Sequence, residues 1–456
     1  MLVAALAAVS VAGLVFTAVA GATTVKQIWD GTATPTWAVQ SAGSGAFDDD
    51  ANAVVATPGG VTFVTGDIGN AAGNSDLSLT ELVNGVKKWT KTYDGPAHGN
   101  DGGGAIAFGP KGIVYTAGWT TNKAGNRDML LIKWTTTGKR LWVRTYDGPK
   151  HGTDYVTALV VDKKGDPTVA RSSVGTYDSD VAVVSWTGAG ARRWAWRYSG
   201  TGHGIDWATD MLAAKDSSVY VTGWAWASGG KWAAVTARIS AAGKNLWTRT
   251  YAGGDTLGAG GSAIAACPSG GVYVGGWVDT TATGTDGLIL RYTPNGTTKV
   301  FAVDSHGSTG TTSQAFNDIA VTTGKHVIAA GVTEENDASG DAYFDDYTSS
   351  GALAWSPILA YGPYLQSFDY VATDSLGGYY LAGQFDDTGS SSQIYIYRGS
   401  QNPGAGFWQS LWGDDASHPG YSMPLGIAVA GSTVWVVGQY GTTAAGSDQI
   451  ALGFAY

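Results

Sequence analysis

The sequence predicts an all-β fold assembled from one repeated unit, and three observations carry that prediction. A run of short alternating strands from Gly112 to Trp142, GIVYTAGWTTNKAGNRDMLLIKWTTTGKRLW, recurs every 52 to 55 residues. Glycine is abundant (68 residues) and no long stretch has helical periodicity, as tight turns between strands demand. The strand missing from the last copy is found at the N-terminal end instead. Together these predict a single eight-bladed β-propeller closed by an N-terminal outer strand, with seven blades as the alternative.

A glycine marks the register of each copy. It falls at Gly66, Gly118, Gly223, Gly276, Gly331, Gly383 and Gly438, and the third copy has Arg171 in that slot. The glycine is expected to end the second strand of its copy. Ten residues later stands Asp76, Asp128, Asp286, Asp341 or Asp448, with Asp180 one residue early, each opening a further strand and capping a turn. An aromatic residue follows at Trp89, Trp142, Trp194, Trp247, Phe301, Trp355 and Trp408. A flat ring in that column buries on the order of 150 to 250 Å² and sets the spacing between sheets.

The strands of a copy are lettered A to D from the axis outward. Strand A is rich in small residues (GAIAF, SAIAA, GIAVA), as the taper near an axis favours. The eighth copy ends at Tyr456 without its aromatic D strand, while Thr36-Trp37-Ala38-Val39 precedes the first A strand and matches the D strands elsewhere. A ring that borrows its last outer strand from the other end closes by main-chain hydrogen bonds and leaves no unpaired edge. An open solenoid has no reason to begin with the strand it lacks at its end.

Residues 1–22 are apolar with small-residue sites at Ala18-Val19-Ala20 and Ala20-Gly21-Ala22, the pattern of a cleaved export signal. An uncleaved membrane anchor is the alternative, since about 20 apolar residues span a bilayer. Residues 23–35 read as a linker and 36–456 as the propeller. The location expected is secreted or cell-surface. A net charge of −10 without a Lys/Arg stripe argues against nucleic acid as a partner. Cys267 is the only cysteine, so no intramolecular disulfide forms.

The segment DGPKHGTDYVTALVVDKKGD, with the Gly-Trp strand, the Asp strand and the TGKRLW turn, resembles the bacterial secreted β-propeller repeat, SBBP. The resemblance covers about residues 36–456. It implies an extracellular module and assigns no activity. The turns Thr137–Trp142 and Ala242–Trp247 also resemble the tryptophan-docking turns of quinoprotein propellers. Without an adjacent cysteine pair, that second resemblance implies packing hardware rather than a quinone cofactor.

No Gly-x-Ser-x-Gly elbow, P-loop, His-Glu-x-x-His, Cys-x-x-Cys or sialidase box occurs, so no catalytic set and no cofactor is implied. His98, His151, His203 and His418 each stand twenty residues before their register mark, and the first three share His-Gly-x-Asp with Asp101, Asp154 and Asp206. A single metal held by several of these histidines is not expected. Zinc needs nitrogens at about 2.1 Å, and equivalent points on facing sheets are roughly 10 Å apart. The acidic loop from Glu334 to Asp346 offers Glu335, Asp337 and Asp341 to Ca²⁺, or is simply solvated.

Strand alternation puts the B–C and D–A loops on one face. That face is expected to gather Trp119, Trp207, Trp224 and Trp226 beside His98, His151, His203 and their aspartates, a suitable surface for sugar rings. For Trp119 and Trp224 the competing expectation is burial between blades. The leading functional reading is a non-enzymatic extracellular binding or scaffold module with a glycan or protein partner. A secreted carbohydrate-active lyase or hydrolase, or an envelope assembly scaffold, is the alternative. Oligomeric state is not encoded in any of these features.

Overall fold

The computed structural model of the protein describes residues 29–455 apart from 33–34, 45–47, 175–178, 254–257, 305–311, 334–339, 360–365, 387–391, 401–406, 414–420 and 443–445. The export segment, His418, Glu335 and Asp337 therefore lie outside the described residues. Among the described residues there are 34 strands and no helix. They form antiparallel sheets in the order A-B-C-D. The second copy shows the pattern with Asp101–Gly109, Ile113–Thr121, Arg127–Thr135 and Arg140–Tyr146.

Four copies depart from it. The sheets of the fifth and sixth copies are joined by a short parallel pairing, Gly284 with Thr312 and Thr285 with Ser313. The seventh copy carries a fifth strand, Trp29–Thr32, parallel to Phe407–Trp412. The eighth copy takes Trp37–Ser41 as its outermost strand, antiparallel to the C-terminal Gly446–Ala455.

Strands B and C carry continuous buried runs rather than alternating ones, so each sheet is buried on both faces and must be covered on both. The core is accordingly a series of clusters between consecutive copies. Phe63, Leu77 and Leu79 meet Ile106, Val114 and Leu130, for example, while Ala51, Val54 and Val64 of the first copy meet Trp435, Val437 and Ala451 of the eighth. Main-chain bonds tie the same neighbours: Asp154 N donates to Arg127 O, Asp206 N to Ser179 O, Ser422 N to Ser392 O and Asp49 N to Ser447 O.

The register glycine does not end strand B, as the sequence suggested. Strand B runs on through Thr121 or Ala227, because the glycine answers to strand A. Strand A carries a bulge there, which pushes a carbonyl toward strand B: a Cβ on Gly223 would stand 1.8 Å from Trp207 O. The extra bulge residue reaches the next sheet. Asn52 Nδ2 donates to Gly103 O (2.9 Å) and Thr209 Oγ1 to Gly261 O (2.9 Å).

Asp180 is likewise not displaced. Strand pairing sets it opposite Ser173 just as Asp128 stands opposite Thr120, so the one-residue difference is taken up in the B–C loop. Strand C opens one residue before the aspartate, at Arg127 in the second copy. The D-strand tryptophans dock on the C–D turn of the following copy, with indole N–H bonds from Trp142 to Gly188 O (3.2 Å), Trp194 to Ala241 O (3.1 Å) and Trp247 to Pro294 O (3.0 Å).

Candidate ligand-binding face

The B–C turns and the D–A loops pack together at one edge of the sheets. The D–A loops of the second to fourth copies, DGPAHGND, DGPKHGTD and SGTGHGID, share one conformation in which His98, His151 and His203 have φ of 51°, 50° and 51°. Asp101 holds its loop by accepting Gly95 N (2.5 Å) and Thr121 N (3.1 Å). Asp206 does the same with Gly200 N and Trp226 N, and Asp154 accepts Gly148 N (2.6 Å).

All three carboxylates are fully buried. Asp101, Asp154 and Asp206 are therefore loop-ordering groups rather than ligand contacts, because a buried carboxylate engaged by backbone N–H groups has no face left for an outside ligand. His98 and His151 are exposed and each bonds a carboxylate four residues earlier, Asp94 or Asp147, at 2.6 Å. That bond, with the acid's charge, holds their pKa above the usual histidine value. Their imidazoles thus point to their own loops. His203 has Ser199 where the others have the acid.

The four candidate tryptophans do come together, in a ladder that spans the second to fourth copies. The guanidinium of Arg127 sits 3.7 Å from the Trp119 ring centre and 5.5 Å from Tyr155. Arg171 lies 5.3 Å from the other side of the run, again on Tyr155, and 5.2 Å from Trp207. Trp207 packs on Trp224 (4.6 Å), Trp224 on Trp232 (4.4 Å) and Trp232 on Trp226 (4.6 Å).

Every member of this ladder is intermediate in exposure, so Trp119 and Trp224 are neither fully buried nor fully exposed. Both follow the register glycine in strand B, and the residues after them, Thr120 and Ala225, are buried again. Arg127, Tyr155, Arg171 and Trp232 were not in the candidate set. A sequence signal existed for two of them. Arg171 occupies a glycine slot, and Trp232 pairs across a Ser-Gly-Gly hairpin with Trp226.

Carboxylates converge elsewhere at this edge. Oxygens of Asp76, Asp94 and Asp101 lie within 4.8 Å of one another, as do those of Asp128, Asp147 and Asp154. Three oxygens at that spacing are part of what a hard cation needs. Asp341, the described member of the acidic Ca²⁺ candidate, lies buried in strand C opposite Thr333.

Asp67 occupies the position of Trp119 in the first copy. Burial, with Asp50 close by, pushes its carboxyl up to about 7, against a hydrogen bond from Asn52 Nδ2 (2.8 Å) and the charge of Arg127. The folded state therefore binds this proton more tightly than the unfolded chain, so stability from this group is greatest near pH 4 and declines as pH rises toward 7. Asp67→Asn keeps an acceptor for Asn52. It is expected to be about 1 to 2 kcal/mol more stable than the parent at pH 8 and equal to it near pH 4.5, read by urea melts at both pH values.

No protein-family model matches this chain, and no curated protein matches it. Among solved structures it is similar to Sqt1 from Chaetomium thermophilum, at 11% identity and a TM-score of 0.55 over 90% of this chain and 97% of that one. It is also similar to the polysaccharide lyase Uly1, at 10% identity and a TM-score of 0.50 over 80% and 91%. The fold is a β-propeller. At such low identities the likeness concerns architecture alone, and the aromatic face has to be read from its own chemistry.

Proposed function

We propose that this chain is an eight-bladed ring, closed by strand Trp37–Ser41, that serves as an extracellular, non-enzymatic binding module and holds a glycan on its aromatic face. The observation that carries the reading is the partly exposed ladder from Trp119 to Trp226. Aromatic rings that each keep part of their surface in solvent, side by side on one edge, offer a surface for a ligand to cover. Pyranose rings present C–H faces that stack on indoles and hydroxyls that need nearby polar partners. The resemblance of the repeat to bacterial secreted propeller repeats, and the export-signal pattern of residues 1–22, support an extracellular setting.

The enzymatic alternative, a polysaccharide lyase or hydrolase, draws on the architecture it shares with Uly1. Among the described residues, two aspartate triads bring their carboxylate oxygens within 4.8 Å of one another. They recur in adjacent copies, and in each triad two of the three carboxylates are buried, the character of blade hardware rather than of an acid–base pair.

A glycan array probed with the mature chain tests the reading. Replacing Trp207 and Trp226 together by Ala is expected to weaken binding at least tenfold, with a fall in melting temperature of only a few degrees because both rings are partly solvated. Retained binding in that variant would sink the assignment of this face.

A further inference from the structure

In seven copies the register residue is glycine because a Cβ there would stand 1.6 to 2.0 Å from a strand A carbonyl oxygen. The third copy breaks this rule, and what it installs is a cation. Strand A of that sheet is short, Ala158–Val161, while Thr157 N still donates to Ala170 O (3.1 Å) and Tyr155 N to Ser172 O (3.4 Å). The repeat itself therefore calls for no arginine at this position. Positions that break a local rule without a packing gain are where function is expected.

The guanidinium is presented in a particular way. Its Cζ lies 5.3 Å from the Tyr155 ring centre and 5.2 Å from that of Trp207, and its Nε is buried without a hydrogen-bond partner. Arg127 is held in the same manner against Trp119 and Tyr155. Among the described residues neither arginine has an ion pair or a side-chain hydrogen bond. Asp67, whose charge reaches Arg127, is itself shifted toward its neutral form. A guanidinium packed against aromatic rings still offers its N–H edge to a partner. That edge fits carboxylate and sulfate groups in a bidentate fork.

We infer that the face selects polyanionic polysaccharides, with carboxylate or sulfate groups on Arg171 and Arg127 and sugar rings on Trp207 and Trp226. The inference rests on the glycan reading above and narrows it. The probes are polygalacturonate and heparin, with methyl-esterified polygalacturonate and dextran as uncharged counterparts, measured by biolayer interferometry on the full chain.

Binding of an anionic probe at least tenfold tighter than of its uncharged counterpart is expected. Arg171→Gly should lower anionic affinity about tenfold or more with an unchanged or higher melting temperature. Arg171→Gln guards against a backbone rearrangement in the glycine variant and should lose affinity likewise. If charged and uncharged probes bind alike and both variants bind as the parent does, the inference is overturned and the glycan reading survives. If neither anionic probe binds, the inference falls. If Arg171→Gly melts well below the parent and binds unchanged, Arg171 is a packing residue and the inference also falls.

Discussion

Removing the segment up to Ser41 is expected to lower the melting temperature by about 10 °C or more and to broaden the transition. Trp37–Ser41 is the outermost strand on Gly446–Ala455, so its loss exposes a long strand edge as well as apolar area. Trp37 also does for the eighth copy what Trp142, Trp194 and Trp247 do for theirs. Its ring lies 4.0 Å from Trp435, and it docks on the C–D turn of the first copy, where a Cβ on Gly85 would meet its Cγ at 2.2 Å. Trp37→Ala alone should cost about 3 kcal/mol, and removal of the strand about 5 kcal/mol or more. Calorimetry of the truncated chain decides the matter. A melting curve superimposable on the parent's would mean that the eighth sheet does not need this strand, and the proposed closure would be wrong.

The repeat made the scaffold legible because it is written in columns. A residue that recurs every 52 to 55 positions serves a contact that recurs, and so the docking tryptophans and the borrowed strand at Trp37 could be read from spacing. The ladder was only half legible for the same reason. Trp207 and Trp226 stood out by lying off the columns, but Arg127 opens strand C, Tyr155 enters strand A and Arg171 sits in strand B. No single spacing links the three; only the stacking of consecutive sheets does. The reverse error befell Asp101, Asp154 and Asp206. Their recurrence beside histidines resembled a site, whereas full burial and bonds to backbone N–H groups make them loop anchors.

Gly223→Ala should be among the most damaging single changes in the molecule, for a reason invisible in glycine's usual role in turns. Gly223 is in mid-strand and does not need a left-handed backbone. What forbids a side chain is the bulge of strand A opposite. The added Cβ would lie 1.8 Å from Trp207 O, 2.8 Å from Trp207 C and 2.9 Å from Ala208 Cα, all backbone atoms that no rotamer change can move. Strand A must therefore shift, and the shift would carry Trp207 away from Trp224 and break the bond from Thr209 Oγ1 to Gly261 O. Overpacking of this kind, with the loss of several strand bonds, is expected to cost about 3 kcal/mol or more. Urea denaturation measures the cost, and the glycan assay should show binding reduced at temperatures where the variant is still folded. A variant as stable as the parent would mean that strand A yields freely at this point, and the account of why Arg171 is exceptional would lose its basis.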